Sequence, residues 1–63
     1  MDGEKVKNAR MEENLTQAEL AKITGLSRVA IANIERGATK DVKASTMIAI
    51  ADALHRKVNE LFL

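Results

Sequence analysis

The chain has 63 residues, of which 46 % are hydrophobic and 30 % charged, and its ten Lys or Arg against nine Asp or Glu leave a formal charge of +1. That is the balance of one small globular domain, too short for a deep substrate cavity or a second lobe. With no cysteine, one histidine (His55), no membrane-spanning apolar run and no signal-peptide core, disulfides and the usual metal sites are excluded and a reducing cytoplasm is expected.

Proline is absent and ten residues are alanine, which predicts helix nearly throughout. Residues 3–13 read as a first helix, with Asp2 as its candidate cap and Val6, Ala9 and Arg10 along one face. Asn14 can end it, since asparagine tolerates the left-handed conformation. The run Thr16-Gln17-Ala18-Glu19 is the clearest local signal. The Thr16 hydroxyl can accept from the Glu19 amide while the Glu19 carboxylate returns to the Thr16 amide, a capping box. It opens a second helix burying Leu20, Ala21 and either Ile23 or Thr24, stopped by Gly25. Ser27 caps a third helix with Ile31 and Ile34 facing inward, and Gly37 ends it. After a polar, basic loop over 38–43, a fourth helix starts at Ala44 or Ser45 and buries Met47, Ile50, Ala51 and Leu54. A short fifth helix, Val58 to Phe62, closes the core with Leu61 and Phe62.

The near-neutral total hides an asymmetry, because residues 1–16 sum to −1, residues 17–43 to +2 and the remainder to zero. The positive excess therefore sits in the middle third. There, two short helices meet at Gly25-Leu26-Ser27. A tight reversal needs a glycine in left-handed backbone, and a close crossing needs the small Ala21. Leu26, Ile31 and Ile34 plug the angle between the helices. A plain antiparallel helix pair would need only a turn and apolar faces. The offsets instead describe a helix-turn-helix over about 16–37, whose second helix enters the DNA major groove. Phe62 is the only aromatic residue, which argues against modules that stack unpaired bases.

The sequence resembles the phage repressor/Cro-type (Xre-like) helix-turn-helix family. The resemblance rests on Leu15-Thr16-Gln17-Ala18-Glu19-Leu20-Ala21, Gly25-Leu26-Ser27-Arg28, Ile31, and Ile34-Glu35-Arg36-Gly37. It continues through Ile50-Ala51-Asp52-Ala53-Leu54 and Asn59-Glu60-Leu61-Phe62, and so spans nearly the whole chain. It implies an all-α, five-helix, lambda-repressor-like domain over 1–63 that binds double-stranded DNA, usually as a homodimer on a palindromic operator. It implies no cofactor, metal or catalytic residue.

Roles follow from the resemblance residue by residue. The third helix, about 27–36, presents Arg28, Val29, Ala32 and Asn33 to base edges. Arg28 can give two hydrogen bonds to guanine and Asn33 can pair with adenine, while Val29 and Ala32 offer contact to thymine methyls. The alternatives are a phosphate contact for Arg28 and a merely solvated Asn33. Gln17 and Ser27 match phosphate contacts at helix starts. Lys40 and Lys43 in the loop, and likewise Arg36, are either phosphate clamps or ordinary wet surface. Arg10 and Glu35 are implied to pair internally.

The chain departs from the family around its last turn. His55 stands at the usual glycine, Arg56 at an apolar position and Lys57 at a capping serine or threonine, while the 37–44 loop lacks the common proline. Dimer contacts are expected nearby, at Arg56, Val58 and Leu63, and His55 reads as a helix-dipole partner. Two other functions compete. An enzyme lacks a nucleophile–base–orienter set around the lone histidine. A protein-interaction module, such as an antitoxin that binds a toxin, is the stronger rival, although no toxin-binding segment is expected after the fifth helix.

Overall fold

Capping chemistry sets the helix boundaries. The computed structural model describes residues 3–63, which form α1 (Glu4–Glu12), α2 (Gln17–Thr24), α3 (Arg28–Glu35), α4 (Ala44–Ala53) and α5 (Val58–Phe62). No strand occurs among the described residues. At the start of α2 the Thr16 hydroxyl accepts from the Glu19 amide at 3.0 Å, and the Glu19 carboxylate accepts from the Thr16 amide at 2.8 Å. Ser27 caps α3 by accepting from the Ala30 amide at 3.0 Å. Lysine has no acceptor, so Lys57 supports α5 differently: its amide donates to the Glu60 carboxylate at 3.1 Å, the return half of a capping box. The candidate cap Asp2 lies outside the described residues.

Three of the helices end alike. Asn14, Gly37 and His55 adopt left-handed backbone with φ of 59°, 76° and 57°. The amide after each reaches back five residues, Leu15 to Arg10, Ala38 to Asn33 and Arg56 to Ala51, at 2.9–3.1 Å. This is the Schellman closure, which satisfies carbonyls the helix leaves open. It explains why glycine suits position 55, and it shows His55 filling a backbone role beyond its expected dipole interaction. Gly25, at φ 77°, ends α2 and reverses the chain.

α2 packs against α3 and α4, α1 against α3 and α5, and α4 against α5. Val6, Leu20, Ile31, Ile50 and Leu54 are fully enclosed at their centre, with Ala9, Ala21, Ile34, Ala51 and Leu61 around them. Of the alternatives at the end of α2, neither is enclosed, and Thr24 is half-buried. Its hydroxyl donates toward the Leu20 and Ala21 carbonyls at 2.9 and 3.2 Å, while Ile23 is 58 % exposed. Met47 and Phe62, expected inside, are only half-buried. They line a recess with Lys40, Asp41 and Val42, where the loop before α4 covers the core incompletely.

Candidate nucleic-acid interface

α3 divides cleanly into two faces. Ile31, Ile34 and Glu35 are buried, whereas Arg28 is exposed, Val29 is 65 % exposed, and Ala32 and Asn33 are half-buried. At 3.6 residues per turn, positions 28, 29, 32 and 33 share one side, and Arg36 lies one turn below them. The four residues expected to read bases are thus brought together. A Val so exposed contributes little to stability here, and its apolar surface is available to a partner.

Behind that face lies a buried ion pair. Arg10 Nε donates to Glu35 Oε2 at 2.6 Å and Arg10 Nη2 to Glu35 Oε1 at 3.1 Å. Arg10 Nη1 also donates to the Leu15 carbonyl at 2.7 Å. The two side chains are 10 % and 4 % exposed, and the bidentate geometry fixes α1 against the end of α3. Gln17 Nε2 makes a third bond to this carboxylate, reaching Glu35 Oε1 at 3.1 Å. The first residue of α2 is thereby oriented by the last residue of α3. The helix-start amides near Gln17 have no intrahelical acceptor and carry the positive end of the helix dipole.

Gln17, Ala32, Glu35 and Arg36 line a shallow recess of about 260 Å³ together with Glu4 and Lys7. Lys7 was not marked by sequence reasoning. The available signal was its position one turn before Arg10, on the helix that the ion pair ties to α3. Ser27 uses its oxygen as a cap and keeps its hydroxyl hydrogen for another acceptor. Lys40 and Lys43 are exposed, with Lys43 at the N-cap of α4. Arg36 Nη2 donates to Asn33 Oδ1 at 2.5 Å.

Each residue expected at a dimer contact also has neighbours within the chain. Arg56 folds back on α1, donating to Glu12 at 3.0 Å and Glu13 at 3.1 Å, and to the Leu54 carbonyl at 2.8 Å. Its hydrogen bonds to Glu12 and then to Glu13, which accept from the guanidinium, raise its pKa above the ordinary arginine value. Val58 is half-buried against the core, and Leu63 is 84 % exposed while its carbonyl accepts from Lys5 Nζ at 2.8 Å. No helix of the described residues is long and apolar enough to cross a membrane.

Comparison with known proteins places this geometry. Residues 6–61 match the helix-turn-helix family. The chain is 41 % identical over 58 residues to control protein C.SmaI of Serratia marcescens, covering 92 % of this chain and 68 % of that protein. It superposes on the restriction-modification controller protein C.AhdI from Aeromonas hydrophila with a TM-score of 0.87 at 32 % identity, over 95 % of this chain and 89 % of the other. The P22 c2 repressor protein, solved in complex with a synthetic operator, gives a TM-score of 0.87 at 32 % identity, over 94 % and 88 % of the two chains. With sequence and fold in agreement, the chain belongs to the helix-turn-helix family of DNA-binding regulators.

Proposed function

We propose that this chain is a sequence-specific transcriptional regulator of the restriction–modification control or phage repressor type, acting as a homodimer on a palindromic operator in double-stranded DNA. The observation that carries the reading is the two-faced α3, which buries Ile31 and Ile34 and turns Arg28, Val29, Ala32 and Asn33 outward. In this reading α3 enters the major groove and α2 crosses the backbone. Arg28, at the first position of α3, reaches a guanine edge, and Val29 and Ala32 meet thymine methyls. Gln17, Ser27, Lys40 and Lys43 hold phosphates, joined by Lys7 from the shared recess.

A symmetric pair of copies, each with one α3 in a major groove, reads half-sites about one helical turn, ~34 Å, apart. Control comes from occupancy of a promoter, at the nucleoid of a prokaryotic or phage-infected cell, and no catalysis is involved.

Selection of bound sites from a random duplex library, with native mass spectrometry of the free and bound protein, tests the reading. A palindromic consensus bound by two chains supports it, and the absence of any consensus contradicts it. Arg28→Ala is expected to cost about 1–3 kcal/mol on the selected site and to relax preference at one base pair. Undiminished binding by that variant would place the reading face elsewhere.

A further inference from the structure

Bonds from two other helices converge on the Glu35 carboxylate, and one of them is not needed by the ion pair. Glu35 Oε2 accepts from Arg10 Nε at 2.6 Å, while Oε1 accepts from Arg10 Nη2 and from Gln17 Nε2, each at 3.1 Å. The fork from Arg10 already neutralises the buried charge. The bond to Gln17 does something else: it fixes a half-buried side chain at the first position of α2.

A carboxylate accepts and cannot donate, so it holds a carboxamide only through the NH2 group. One N–H of Gln17 is engaged by Glu35 and the second is left for another acceptor, beside the open amides of the helix start. A loose glutamine gives up the rotamer freedom of its long side chain when it grips a phosphate, and that cost falls on binding. Held by Glu35, Gln17 gives it up on folding instead. Glu35 is 4 % exposed and paired with Arg10, so it anchors Gln17 without setting a bare negative charge against the DNA backbone.

We propose that Glu35 is a positioning residue for the DNA backbone: through its bond to Gln17 Nε2 it presets the second N–H of that side chain for one phosphate of each half-site. The inference rests on the DNA-binding reading above.

The test separates the anchor from the ion pair. Arg10→Met/Glu35→Leu removes both charges and every acceptor at position 35. Arg10→Met/Glu35→Gln removes the same charges but keeps a side-chain oxygen for Gln17 Nε2. Affinity for the selected duplex is measured for the wild type and both double variants, each with and without Gln17→Ala, at a temperature where all are folded.

In the wild type, Gln17→Ala is expected to weaken binding about tenfold, the worth of one hydrogen bond to a charged group. The loss is uniform over base sequences and leaves the slope of log K against log salt unchanged, because the lost donor carries no charge. Arg10→Met/Glu35→Leu binds about threefold more weakly than the wild type, and adding Gln17→Ala then costs only about threefold. Arg10→Met/Glu35→Gln restores the full dependence on Gln17.

A second measurement leaves position 35 unchanged. In the free wild type, ¹⁵N relaxation should show the Gln17 side-chain NH2 group to be more ordered than those of the exposed Asn8 and Asn59. A Gln17 carboxamide as mobile as those two overturns the proposal. So does a cost of Gln17→Ala that is the same in all three backgrounds. A wild type that binds no duplex sinks the DNA-binding reading itself, whereas undiminished binding by Gln17→Ala sinks only the Gln17 contact and this inference.

Discussion

At Gly3 and Gly25 the same substitution to alanine meets different obstacles. A Cβ at Gly3 would lie 2.2 Å from the Ile34 carbonyl oxygen and 2.3 Å from that of Glu35, both backbone atoms at the end of α3. A Cβ at Gly25 would meet nothing within 4 Å, but the residue holds φ +77°. Gly25→Ala therefore carries a torsional cost of about 1–2 kcal/mol. Gly3→Ala forces α1 away from α3 and is expected to cost more, since the backbone cannot step aside. Urea unfolding of the two variants should rank them in that order.

Glu35 presents a third kind of residue-scale demand. Glu35→Ala leaves the Arg10 guanidinium enclosed without its counter-ion, with an expected loss of about 3–5 kcal/mol. Replacing both partners by apolar residues of similar size should recover most of that loss, because neither charge is then taken out of water unpaired. A double-mutant cycle in denaturant measures both. The cycle would also release Gln17, which leans on the same carboxylate, so phosphate binding should weaken along with stability.

Among the elements, α2 depends most on a purely local device. Thr16→Ala removes the acceptor for the Glu19 amide, and thermal unfolding is expected to show a loss of about 1 kcal/mol. The whole box lies within four consecutive residues, which is why the start of α2 was legible in the sequence. The Gly25 reversal, the Ser27 cap and the bounds of α5 were legible for the same reason: donor, acceptor and turn residue are close in the chain. The pairing of Arg10 with Glu35 came from family resemblance, since 25 residues separate the partners.

What the sequence concealed was set by distant neighbours. The smallness required at Gly3 arises from carbonyls more than thirty positions away. Arg56 carries no local mark of its attachment to Glu12 and Glu13 on another helix. Met47 satisfies the helical spacing for burial, yet the covering loop leaves it half open. The outward face of α3 was legible as a pattern, but the bond between Arg36 and Asn33 was not. Their spacing of three makes them neighbours on the helix surface, but it leaves the bond to the side-chain rotamers.

On the scale of the molecule, a net charge of +1 is too small to coat DNA indiscriminately, so in the proposed complex affinity comes from a few placed cations and from two subunits acting together. Lys40, exposed in the loop before α4, is one of those cations in the proposed complex. Lys40→Ala should weaken binding to every sequence alike and reduce the magnitude of the slope of log K against log salt by about one. Titration across salt concentrations, with selected and scrambled duplexes, separates this uniform loss from the position-specific loss expected for Arg28.

The proposed function requires above all that α3 touch nucleotide edges. The most direct measurement is a ¹⁵N-resolved titration of the protein with its selected duplex, followed residue by residue. The largest changes are expected on Arg28, Val29, Ala32 and Asn33, with smaller ones at Gln17, Lys40 and Lys43 and little at α5. A duplex that binds while the outer face of α3 stays unperturbed would contradict the proposed function.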